Sequence, residues 1–102
     1  MVFRIIEKKD VKGVLAIVNK ALIHYQSKEF KDAKDSMADA SNAFLRIETG
    51  LAHQVGPNAV DRASKHMRSS ITYLAKNNNM YGLGEIEETI RALNSIIVDL
   101  KN

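Results

Sequence analysis

The chain has no cysteine, no tryptophan and a single proline, and its aromatics make up only 6% of 102 residues. Without cysteine there can be no disulfide cross-link, thiolate metal ligand or cysteine nucleophile, and a reducing compartment is compatible, so the cytoplasm is the expected location. Long apolar runs are also missing. The most apolar stretch, Val14 to Val18, falls far short of the roughly 20 residues that span a bilayer, so no membrane span is expected. Met1 to Lys9 carries Val2, Phe3, Ile5 and Ile6 but neither the apolar run nor the small-residue cleavage site of a signal peptide, so export is not expected. Period-two alternation is confined to Val2 to Ile6, and no sheet is predicted.

What is present is helical periodicity. Phe30, Ala33, Met37, Ala40, Phe44, Ile47 and Leu51 recur at spacings of three and four with polar residues between them, which is how a helix marks one buried seam. Ile86, Ile90, Leu93, Ile97 and Leu100 repeat the pattern, and Val60, Ala63, Met67, Ile71 and Leu74 supply a third stripe. Gly50, Gly56 and Pro57 mark one break; Asn77 to Asn79 with Gly82 and Gly84 mark another. With Asp10, Ser27 and Asn58 as N-caps, the expected helices are about 11–26, 28–51, 59–76 and 85–100. The fold class is all-α: a single-domain antiparallel four-helix bundle with an N-terminal segment packing on it.

The first helix carries a wide stripe. Val11, Leu15, Val18, Leu22 and Tyr25 form one seam, and Val14, Ile17 and Ala21 a second, so two neighbours should contact it. The apolar residues Val2, Phe3, Ile5 and Ile6 are the nearest cover. They either lie across Val14, Ile17 and Ala21 as a displaceable lid or extend helix one and pack permanently.

Catalytic chemistry has little footing. His24, His53 and His66 include no i, i+4 pair, so neither a zinc site nor any other metal or cofactor is expected. No serine sits in a nucleophile-elbow sequence. Arg46 and His53 fall at the loose spacing of HEPN-type RNases, where an arginine would stabilise a phosphate's developing charge and a histidine would move a proton. On a continuous helix, seven residues would put both on one face about 10 Å apart. Charge is uneven: the third segment, with Arg62, Lys65, Arg68 and Lys76 against Asp61, is net +3, and the last, with Glu85, Glu87, Glu88 and Asp99 against Arg91 and Lys101, is net −2. The row Arg62, Lys65, Arg68 has few cations and only Tyr73 as an aromatic beside it, which weighs against nucleic acid as the partner. Met37 and Met67 read as core, while Met80 and Tyr81 form an apolar pair in a loop.

Helix lengths and several residues resemble the flagellar export chaperones that hold the C-terminal segment of flagellin before secretion. The resemblance rests on Gly13 with Ala21, on the run Ala38 to Ile47 ending at Leu51, and on Leu74, Asn78 and Glu88. Where that family has a Leu-Tyr-x-Tyr-Met element this chain has His66 to Ser70, and Leu100 stands at the usual tryptophan. The resemblance implies a non-enzymatic bundle that binds an amphipathic helical segment of a protein client in an apolar groove, as a bacterial chaperone or co-chaperone of secretion. Val14, Ile17, Ala21, Ile71 and Tyr73, which lie beside the main seams, are the expected partner-binding residues. The alternative is a four-helix protein like the bacteriocin immunity proteins, which share size, charge and helix count but no short motif.

Overall fold

The computed structural model describes residues 4–101, which form five helices and, among the described residues, no strand. They are α1 (Lys8–Gln26), α2 (Phe30–Leu45), α3 (Glu48–Val55), α4 (Pro57–Ala75) and α5 (Asn79–Asp99). The four long helices pack as a ring: α1 lies against α2 and α5, and α4 against the same two. Among the described residues, no helix is long and apolar enough to cross a membrane.

The three sequence seams point inward. Ala33, Met37, Ala40, Phe44 and Leu51, then Ala63 and Met67, then Ile86 and Leu93 are fully buried, and Leu100 joins them at the end of α5. Ser70 and Thr89 are buried among these residues, and each satisfies its hydroxyl within its own helix, on Met67 O at 2.6 Å and Glu85 O at 2.8 Å. Val11, Val14, Val18 and Ala21 are all buried. The two seams of α1 are therefore covered by its helical neighbours, and no surplus apolar strip runs along its middle.

Several boundaries differ from expectation. The helix expected over 28–51 is two helices, broken at Arg46–Ile47 although no glycine or proline stands there. An unbroken helix from Phe30 to Val55 would be about 39 Å long against about 28 Å for α1, and would carry Leu51 beyond its neighbours. The break turns α3 onto α4, so that Ile47 and Leu51 are buried. Ser27 and Asn58 are not N-caps: Ser27 closes the C-terminus of α1, and Asn58 lies inside α4, whose start is set by Gly56 (φ 95°) and Pro57. Helix α5 begins six residues before the expected 85, with Gly82 and Gly84 inside it. Tertiary contact outweighs the weak local propensity of this turn, for Gly82 is buried against Leu74.

The N-terminal segment follows neither expected course. Val2 and Phe3 lie outside the described residues. Arg4 to Glu7 is non-helical and docks on α3 rather than on Val14, Ile17 and Ala21. The carboxamide of Gln54 binds both sides of one residue, its Oε1 accepting from Ile6 N at 2.6 Å and its Nε2 donating to Ile6 O at 2.9 Å. Asp10, in the first turn of α1 and not its N-cap, accepts from Glu7 N at 2.9 Å and from Arg4 Nη2 at 2.8 Å. The Ile6 side chain is buried, which contributes about 1.5–3 kcal/mol. This approach needs a glycine beneath it: a Cβ on Gly50 would stand 2.8 Å from Arg4 O and 3.1 Å from Ile6 Cγ1.

Two alanine substitutions should therefore have opposite signs. Gly50→Ala gains about 1 kcal/mol of helix propensity but must displace backbone, and a net loss of about 1–2 kcal/mol is expected. Gly13→Ala, on the exposed side of α1 with nothing within 4 Å of its Cβ, should gain about 0.5–1 kcal/mol. Urea unfolding of both variants measures this, and equal effects would refute the docking of Arg4 to Glu7 on α3.

Candidate functional site

The two ends of the molecule differ. At one, α3, the segment Arg4 to Glu7 and the C-terminal residues of α5 close over the core, with Gln54, Asp99, Leu100 and Lys101 around a shallow hollow. At the other, the chain reverses twice through turns of the same construction. After α1, Lys28 N bonds Tyr25 O at 2.9 Å and Glu29 N bonds His24 O at 2.9 Å; after α4, Asn77 N bonds Leu74 O at 3.2 Å and Asn78 N bonds Tyr73 O at 2.8 Å. These are Schellman motifs, and their hinge residues Lys28 and Asn77 both take the left-handed φ of 62° usually given to glycine.

Between these turns lies a groove of about 460 Å³ lined by Leu22, Tyr25, Phe30 and Leu83, with Gln26, Lys28 and Glu87 also contributing. Its size is within the range of small ligand pockets, about 300–1,000 Å³. Tyr25 meets Phe30 edge to face, 5.1 Å between centroids, which fixes one wall by the quadrupole preference of aromatic pairs. The same end exposes Ile23 (62%), Met80 (82%) and Tyr81 (64%). Met80 and Tyr81 stand in the first turn of α5, not in a loop. Tyr81 stacks on Tyr73 at 5.5 Å with 30° between the rings.

The expected partner-binding residues are not gathered into this groove. Val14 and Ala21 are buried, and Ile17 and Ile71 are half-buried against the core, so four of the five already have protein partners. Tyr73 alone has a part in an open surface, through its stack on Tyr81 and a second hollow with Lys65, Arg68 and Lys76. Sequence reasoning missed Leu83 and Phe30 as groove residues. By spacing Phe30 reads as the first residue of a buried seam, and Leu83 sits between two glycines.

Arg46 and His53 lie on opposite sides of the break, Arg46 at the C-cap of α2 and His53 within α3. The continuous helix face that would have held them together does not exist. His24, Glu29 and Asp32 are brought together by the α1–α2 turn, their ligand atoms all within 4.8 Å of one another. Within this set His24 Nδ1 and Glu29 Oε1 are hydrogen-bonded at 2.9 Å, which ties the last turn of α1 to the start of α2. His66 Nδ1 pairs likewise with Glu85 Oε2 at 2.6 Å, joining α4 to α5.

Comparison with protein-family models, with curated proteins and with solved structures finds no match for this chain. What the site can do is read from its own geometry: it offers a preformed apolar wall with a cation and a carboxylate on its rim.

Lys28→Gly removes the steric cost of a side chain at positive φ and should stabilise the protein by about 0.5–1 kcal/mol, despite greater freedom in the unfolded chain. Thermal unfolding checks it; a destabilised variant would mean that Lys28 does not hold the left-handed hinge.

Proposed function

We propose that this chain is a non-enzymatic protein-binding bundle of four antiparallel helices, with α3 and the N-terminal segment as its cap, that seats an amphipathic helical segment of a partner protein at the open end. This reading is supported by the groove of Leu22, Tyr25, Phe30 and Leu83, at the end of the molecule that also exposes Ile23 and Met80. A helix with apolar residues at i and i+4 would place one in the groove and the other against its rim. Lys28 and Glu87 would set its direction, pairing with a carboxylate and a cation on the partner's polar edge. A flagellar-type secretion chaperone or co-chaperone is the more specific form of this reading, and it follows from the resemblance alone. A client seated here would not need to open the core around Val14 and Ala21.

A photo-crosslinking residue at Leu83, in cells that express the chain, should capture a defined partner that the same residue at exposed Asp39 does not. With partner and chain purified, Leu83→Lys should weaken binding at least tenfold, by the cost of burying a charge in an apolar wall, while leaving helical circular dichroism unchanged. Equal capture at both positions, or unaltered affinity of Leu83→Lys, would end this reading.

A further inference from the structure

The face of α4 turned away from the core is not accounted for by a docked helix. Lys65, Arg68, Ser69, Thr72, Tyr73 and Lys76 line a hollow of about 300 Å³, and their spacings of three and four residues make them one stripe. Compensation by carboxylates stops short of it. Arg62, one turn earlier, pairs with Glu88 at 3.9 Å, and Arg91 pairs with the same carboxylate. Lys65, Arg68 and Lys76 are in no ion pair among the described residues, and Arg68 instead donates to Ser64 Oγ of its own helix. Three cations thus face solvent along about 16 Å of helix.

At the end of this row stands an aromatic platform. Tyr81, distant in the sequence pattern, is folded by the early start of α5 onto Tyr73. Tyr81 packs on Tyr73 and yet remains 64% exposed, which leaves ring surface for a further partner. An uncompensated cation row leading to an exposed aromatic ring has the two parts by which single strands are held: charges that track phosphates and a flat surface on which a base stacks. We infer that the outer face of α4, with Tyr81, binds single-stranded nucleic acid, the phosphates running along Lys65, Arg68 and Lys76 and a base stacking on Tyr81. The Ser69 hydroxyl adds a neutral donor within the stripe. An acidic peptide would meet the same cations but would leave the exposed ring of Tyr81 without a flat partner.

Salt dependence and stacking are separable, which makes the proposal testable. The probe is a fluorescein-labelled oligouridylate of about ten nucleotides, with oligothymidylate alongside to distinguish RNA from DNA, titrated with the full chain. Three phosphate contacts give a slope of log K on log salt near −2, or about a twentyfold fall between 50 and 200 mM. Lys76→Gln should make that slope shallower by about 0.7, whereas Lys20→Gln, on exposed α1 surface, should leave it unchanged. Tyr81→Ala should weaken binding about tenfold at every salt concentration without altering the slope. Circular dichroism of each variant verifies that the fold is retained. Inorganic polyphosphate bound as tightly as the oligonucleotide, or Tyr81→Ala without effect, would reduce the face to a general anion patch and overturn the proposal. Binding to anionic lipid vesicles but not to either oligonucleotide would overturn it as well.

Discussion

The apolar seam that begins at Phe30 and ends at Leu51 is longer than the helices available to cover it, and the architecture of one end follows from that mismatch. A straight helix would leave its last two turns in water. Breaking at Arg46–Ile47 gives up a few hydrogen bonds of helix continuity but buries Ile47 and Leu51, each worth about 1.5–3 kcal/mol. Once α3 lies across the end, the segment before α1 has a surface to dock on. Gly50 lets the backbone of Arg4 approach, and Gln54 supplies both hydrogen bonds that the extended Ile6 would otherwise take from water.

Closure of that end leaves the groove and the exposed aromatics to the opposite one. Its two reversals use the same hydrogen-bond pattern, with Lys28 and Asn77 at the left-handed position. Asparagine tolerates that conformation; lysine does so at a cost of about 1 kcal/mol. The turn after α1 is therefore held in part by what surrounds it, including the Tyr25–Phe30 pair and the His24–Glu29 hydrogen bond. Four of the six aromatic residues, Tyr25, Phe30, Tyr73 and Tyr81, are gathered at this end, where they wall a groove and a platform instead of filling the core.

Much of this was legible in the sequence because it depends on periodicity. The seams through Ala33 to Phe44, through Val60 to Met67 and through Ile86 to Leu93 are the buried faces. The features that escaped depend on tertiary contact. Nothing local distinguishes Arg46–Ile47 from the helix on either side, since the break answers to the length of α1. The N-terminal residues show only that they are apolar, and their seat is chosen by a glycine and a glutamine some 45 residues away. Ile17 and Ile71 read as outlying because they flank the seams, yet a ring of four helices covers flanking positions too. The groove was invisible for a complementary reason: Leu22, Tyr25 and Phe30 belong to seams by spacing, and only the ending of those seams at the turn leaves them half open.

The first turn of α5 lies between the two exposed surfaces. By propensity it should not be helical, since Gly82 and Gly84 each cost about 1 kcal/mol there and Asn78 makes no side-chain cap. Packing against α4 reverses the balance. Leu74 closes on Gly82 so tightly that a Cβ there would meet its side chain at 2.8 Å, and Tyr73 stacks on Tyr81. This turn presents Tyr81 on the side of α4 and Leu83 on the side of α1 and α2. A segment rich in glycine, which a propensity argument assigns to a loop, thereby becomes the rigid support for both exposed surfaces. Its order is supplied by the neighbouring helix, so that α4 bears the charged stripe and also holds in place the element that carries the apolar groove's far wall.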